Sequence, residues 1–190
     1  MKKFLLGIIL PAILLSLNHL AAAQAAPPSL NDQLIAAAKN GDAATVQQLL
    51  AQGANIEATD SKLGHTPLIA AAIWGRVDVV KLLLEKGANV EARDSTDATA
   101  LMRAAWSQGF SAEVMDLLLE KGANIEDKNK HGDTALMGAA GWGRVDAVRL
   151  LLERGADIDA KDADGHTALW SAVVLRRTDV AKLLQAKGAH

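Results

Sequence analysis

From Asn31 onward two kinds of apolar run alternate along the chain, one rich in alanine and the next rich in leucine. The clearest pair begins at Thr66-Pro67-Leu68-Ile69-Ala70-Ala71-Ala72-Ile73-Trp74-Gly75. It continues through Val77-Asp78-Val79-Val80-Lys81-Leu82-Leu83-Leu84-Glu85-Lys86-Gly87-Ala88. Two short helices are predicted. Thr66 suits an N-cap and Pro67 a first helical position. Gly75 can take φ > 0 and end the first helix, and Gly87 can end the second. Alanines let the first helix approach its neighbours closely. Val79, Val80, Leu82, Leu83 and Leu84 cover more than one side of the second, so it must be packed from several directions. Asn89 to the next threonine is a turn-rich connection.

The leucine run followed by Gly-Ala returns at Gly53-Ala54, Gly87-Ala88, Gly122-Ala123, Gly155-Ala156 and Gly188-Ala189, at intervals of 34, 35, 33 and 33 residues. A fixed period of this size marks a stacked repeat array. The expected fold is an all-α solenoid of about five helix–turn–helix units joined by hairpin-like loops. The units run from about 31–59, 60–93, 94–128, 129–161 and 162–190. In the third, Thr99 lies 23 residues before Gly122, against 21 between Thr66 and Gly87. The surplus falls around Ser107-Gln108-Gly109-Phe110-Ser111 and predicts a longer turn between its helices. The loop before Thr66 is one residue longer than its counterparts. The ends read as caps. The first unit lacks a preceding hairpin, and the last has Gln185 in place of a leucine and Arg176-Arg177 in place of Gly-Arg. Polar residues on an outer face keep a solenoid end soluble.

These residues resemble the ankyrin repeat. Thr66-Pro67-Leu68 matches the start of that family's T-P-L-H phrase, and Ala71-Ala72, Gly75, the Leu82–Leu84 run and Gly87-Ala88 fall where the family has them. The resemblance covers about Asn31 to Ala189. It implies a protein-binding solenoid whose concave surface is built from loop tips and the exposed ends of the first helices. The family's histidine, which bonds between adjacent loops, is replaced by Ile69, Met102, Met137 and Trp170, so apolar packing is expected in its place.

The start of the chain reads differently. Lys2 and Lys3 precede an apolar stretch over residues 4–17, and small residues follow with Ala-x-Ala sites at Ala21–Ala23 and Ala23–Ala25. This is the layout of a cleavable secretory signal over residues 1–25. The apolar stretch is shorter than the ~20 residues a spanning helix needs, and Pro11 interrupts it. Residues 26–30 then form a short linker. The expected compartment is the periplasm, or the exterior of a cell with one membrane. Removing the leader leaves 18 of the 20 Lys and Arg against 22 Asp and Glu, a net charge of −4. That balance argues against nucleic acid and anionic membrane surfaces as partners. The chain has no cysteine, so an oxidising compartment poses no threat.

Candidate chemistry lies at positions that vary between units. The two residues before each first-helix glycine include Ile73, Trp74, Trp106, Trp142 and Leu175. Repeated at ~10 Å intervals, the tryptophans are expected to line an apolar strip that binds another protein. The loop tips supply a polar rim: Lys62, His65, Lys130, His131, Asp133, Asp164 and His166. The leading expectation is a monomeric, non-enzymatic interaction scaffold without cofactor or metal. An alternative is an inhibitor or immunity-type protein that covers a toxin or hydrolase. A third is an enzyme or metal protein using the loop histidines. Against it, His65 and His166 are equivalent residues three units apart, ~30 Å on a stacked array, and no nucleophile elbow, phosphate loop or HExxH is present.

Overall fold

The computed structural model describes residues 27–190, and the expected signal sequence lies outside the described residues. Among the described residues there are ten helices and no strand. They are α1 (Leu30–Asn40), α2 (Ala43–Ala51), α3 (Pro67–Ile73), α4 (Val77–Glu85), α5 (Ala100–Trp106), α6 (Ala112–Glu120), α7 (Ala135–Gly141), α8 (Val145–Glu153), α9 (Ala168–Val174) and α10 (Thr178–Ala186). None is long and apolar enough to cross a membrane. Helix α1 starts one residue inside the segment read as a linker. Ser29 explains this: its hydroxyl accepts from the Asp32 N–H, and the Asp32 carboxylate accepts from the Ser29 N–H, a complete capping box.

The odd helices stack on one another in one row and the even helices in a second. Alanine decides the geometry. Ala71, Ala72, Ala104, Ala105, Ala139 and Ala140 are buried between odd helices, which therefore approach more closely than the leucine-bearing even ones. Closer approach in one row than in the other curves a stacked array towards the tighter row and makes that side concave. Val79, Leu83, Val114, Leu118, Ala147, Leu151, Val180 and Leu184 fill the space between the rows. The threonines act as the sequence predicts. Thr66, Thr99, Thr134 and Thr167 accept from the N–H of Ile69, Met102, Met137 and Trp170.

Ile69, Met102 and Met137 are buried as apolar substitutes for the family's histidine, but Trp170 is 45% exposed. The loops are joined by other means than apolar packing. Ser95, Lys130 and Ala163 donate backbone N–H groups to the carbonyls of Leu63, Thr96 and His131 in the preceding loops. Glu57, Glu91 and Glu126 accept from the N–H of Asn89, Asn124 and Asp157 one unit on. Two small, polar sets of bonds thus do the work assigned to one side chain.

The third unit's turn, residues 107–111, is longer as expected, and Ser111 caps α6 by accepting from the Val114 N–H. Gly109 lies against the backbone of Ile73 and Trp74, where a Cβ would meet the Ile73 carbonyl.

The C-terminal cap needs correction. Arg176 occupies the left-handed position held by Gly75 and Gly143, with φ +57°. Arg177 then makes the same contact as its counterparts in other units, so the pair is framework and not a cap. Capping is confined to α10, where Gln185 is exposed. On α9, Trp170 and Val173 stay exposed although their counterparts Met137 and Ala140 are buried by the next unit.

Candidate functional site

The inner face is built from the C-terminal ends of the odd helices. Such ends leave carbonyls without intrahelical donors. An arginine from the following unit satisfies them. Arg76 Nε donates to the Lys39 carbonyl at 3.0 Å, Arg144 Nε to Trp106 at 3.2 Å, and Arg177 Nε to Gly141 at 2.9 Å. The third unit has no such arginine; there the long turn brings Gly109 against the backbone of Ile73 and Trp74.

The tryptophans sit beside this line. Trp74 and Trp142 are 48% and 59% exposed. Trp106 is half-buried and differently placed. It aligns with Ile73 and Gly141, one position earlier than the other two, and its ring lies across Gly138 of the next unit. Its indole N–H donates to the Ala135 carbonyl at 3.1 Å. The expected strip of three matching rings is therefore two presented rings flanking one that is laid down. Cations hold two of them: Lys39 Nζ lies 5.3 Å from the Trp74 ring centre, and the Arg103 guanidinium 5.6 Å from that of Trp106.

Three hollows run along this face. A cleft of about 360 Å³ is lined by Trp106, Met137, Gly138, Gly141, Trp142 and Leu175, with Asp133, Ser171 and Arg177 beside them. A second, about 270 Å³, shares Trp106 and Trp142 with it and adds Ile73, Arg103 and Arg144. A third, about 480 Å³, shares Ile73 with the second and adds Trp74, Lys62, Leu63 and His65. Shared walls make them one groove, which brings together Ile73, Trp74, Trp106, Trp142 and Leu175.

The rim residues divide. Lys62, His65 and Asp133 line the groove. Lys130, His131, Asp164 and His166 do not line these hollows. Lys130 Nζ instead donates to the Ser95 carbonyl at 2.7 Å, His131 and Asp164 are exposed, and the His166 ring stacks on Trp170 at 3.5 Å. Ligand atoms of Asp162, Asp164 and His166 lie within 4.8 Å of one another. Asp162 already accepts from the N–H groups of Asp164 and His166, the turn-organising role that Asp60 plays towards Lys62, Leu63 and His65.

His65 is mostly buried, its Nδ1 3.5 Å from Asp60 and its Nε2 3.7 Å from Asp94. Burial pushes its pKa down, and Arg103 adds to this. The attraction of Asp60 and Asp94 offsets only part. The Asp94 carboxylate is fully buried. Burial would raise its pKa, but Arg103, with Nε at 2.6 Å, and the Thr96 N–H and hydroxyl hold it below the ordinary value.

Sequence reasoning gave no site role to Asp94, Arg103 or Gly138, and it read Arg177 as part of a cap. A charged Arg103 inside an alanine-rich helix, and two glycines inside α7, were the available signals. Both break the local pattern, and each turns out to serve Trp106 or the cleft.

A family model described as ankyrin repeats (3 copies) matches residues 34–129 and, in a second overlapping match, residues 108–190. No curated protein matches the chain.

Proposed function

Because the chain belongs to the ankyrin-repeat family, whose members are in general protein–protein interaction modules, we propose that it is an exported, non-catalytic scaffold that captures a partner protein in the inner groove. The observation that carries this reading is the exposure of Trp74 and Trp142 on either side of a continuous apolar groove. A tryptophan presented in a concave surface is a typical interface anchor. Residues 1–25 support export, and the expected compartment is the periplasm.

The test is affinity capture from separate periplasmic and cytoplasmic fractions, with the Trp74→Ala/Trp142→Ala double variant alongside. Both rings are half in solvent, so the variant is expected to lose no more than about 1 kcal/mol of stability per site. Partner recovery is expected to fall at least roughly tenfold. Loss of several kcal/mol would show that the rings are core, and undiminished capture would place binding elsewhere. A partner found solely in the cytoplasmic fraction would overturn the proposed location.

A further inference from the structure

Resting on the groove as a protein-binding surface, we infer that the partner segment is acidic: an extended stretch of chain in which carboxylates are interleaved with bulky apolar side chains. The argument starts from the distribution of charge. The whole chain is mildly acidic, with a net charge of −2. Yet residues 66–77, 99–112, 134–145 and 167–178 contain Arg76, Arg103, Arg144, Arg176 and Arg177 and no Asp or Glu. These stretches are helices α3, α5, α7 and α9 with their caps and the turns that follow. The next acids, Asp78, Glu113, Asp146 and Asp179, stand in the first turns of the even helices, where they favour the helix dipole.

Pairing within the protein neutralises only part of this basic line. Arg103 is matched by the buried Asp94. Arg144 and Arg177 take part in none of the ion pairs among the described residues. Each is fixed through Nε to a helix-end carbonyl, which leaves the terminal guanidinium nitrogens to meet a ligand. A guanidinium already held at one nitrogen loses less freedom when a carboxylate arrives. One repeat, ~10 Å, separates them, a distance that an extended chain covers in about three residues at ~3.3 Å each. The apolar cleft walled by Trp106 and Trp142 adjoins both and has the volume for a large side chain. The carboxylate that lines this cleft, Asp133, accepts from the Asn129 amide at 3.1 Å. At the α1 end the third hollow mixes Asp32 and Asp60 with Lys39 and Lys62, so the acidic preference belongs to the α5–α9 part.

The experiment selects short random displayed peptides on the purified protein and titrates the winners by calorimetry. The titration is repeated with Trp142→Ala and with Arg144→Gln/Arg177→Gln. Acid-rich peptides with large apolar residues are expected. They should bind roughly 10- to 100-fold more weakly to the arginine variant, the range for a lost charge-assisted hydrogen bond, and roughly fivefold or more weakly at high salt. The salt series on the unaltered protein decides the matter if the glutamine variant does not fold. Neutral or basic winners, or binding indifferent to salt, overturn the acidic preference. The groove reading survives that result as long as Trp142→Ala still abolishes binding. Binding that ignores Trp142→Ala, or a library that yields no binder, overturns both.

Discussion

At the scale of single residues, buried charge is concentrated around Asp94. Its carboxylate accepts from Arg103, Thr96 and the Ala98 N–H, and His65 closes over it from the preceding loop. The two titrating groups respond to acid in sequence. His65 has a depressed pKa in the folded protein, so below its ordinary value of about 6.5 the unfolded chain takes up the proton first, and stability falls as pH is lowered. Asp94 is also depressed, so its contribution is lost later, as pH falls below about 3.8 and through its folded value. Melting temperature measured against pH should therefore decline in two stages, and His65→Gln should remove the upper one. A single decline confined to strongly acid pH in the unaltered protein would contradict the assignment. Nothing in the periodicity marks Asp94 as different from Asp60 or Asp162. Its burial comes from the Arg103 beside it, whose meaning depends on a contact nine residues away.

Between elements, the contact of α5 with α7 depends on an atom that is missing. Trp106 lies across Gly138, and a Cβ there would meet the indole nitrogen and its neighbours. Alanine is the better helix former by about 1 kcal/mol, yet Gly138→Ala must expel the ring and break its bond to the Ala135 carbonyl. The expected net result is a loss of roughly 1–3 kcal/mol, with tryptophan emission shifted to the red. The double variant Gly138→Ala/Trp106→Ala should recover part of that loss, and denaturant titration measures both. The helices themselves were legible, because threonine caps, alanine runs and terminating glycines each act locally. The lengthened turn at residues 107–111 was legible from counting. The displacement of Trp106 was not, since a one-residue offset is visible in the alignment of units but its consequence depends on the small residue opposite.

For the whole molecule, the same position means different things in different units. Met137 and Trp170 follow the capping threonine by three residues in successive units, but one is buried by α9 and its unit while the other faces outward. Met137→Ala should cost roughly 2–5 kcal/mol by leaving a cavity. Trp170→Ala should cost about 1 kcal/mol or less, mainly the stacking on His166. Equal effects in thermal unfolding would refute the register. The glycine spacing predicts five units, and five helix pairs are present among the described residues. The contrast between a polar α10 and an apolar α9 required the three-dimensional comparison, because only there is each side chain set against what covers its counterparts. That contrast makes the last unit a splice point. Trp170 and Val173 already present the kind of surface that an incoming helix pair would seal, so the row of odd helices is prepared for modular growth. A sixth unit copied from residues 129–161 and joined after Ala189 would meet an apolar face on α9 and a polar one on α10, so lengthening would ask for a change at Gln185 in the outer row before the new pair could seat.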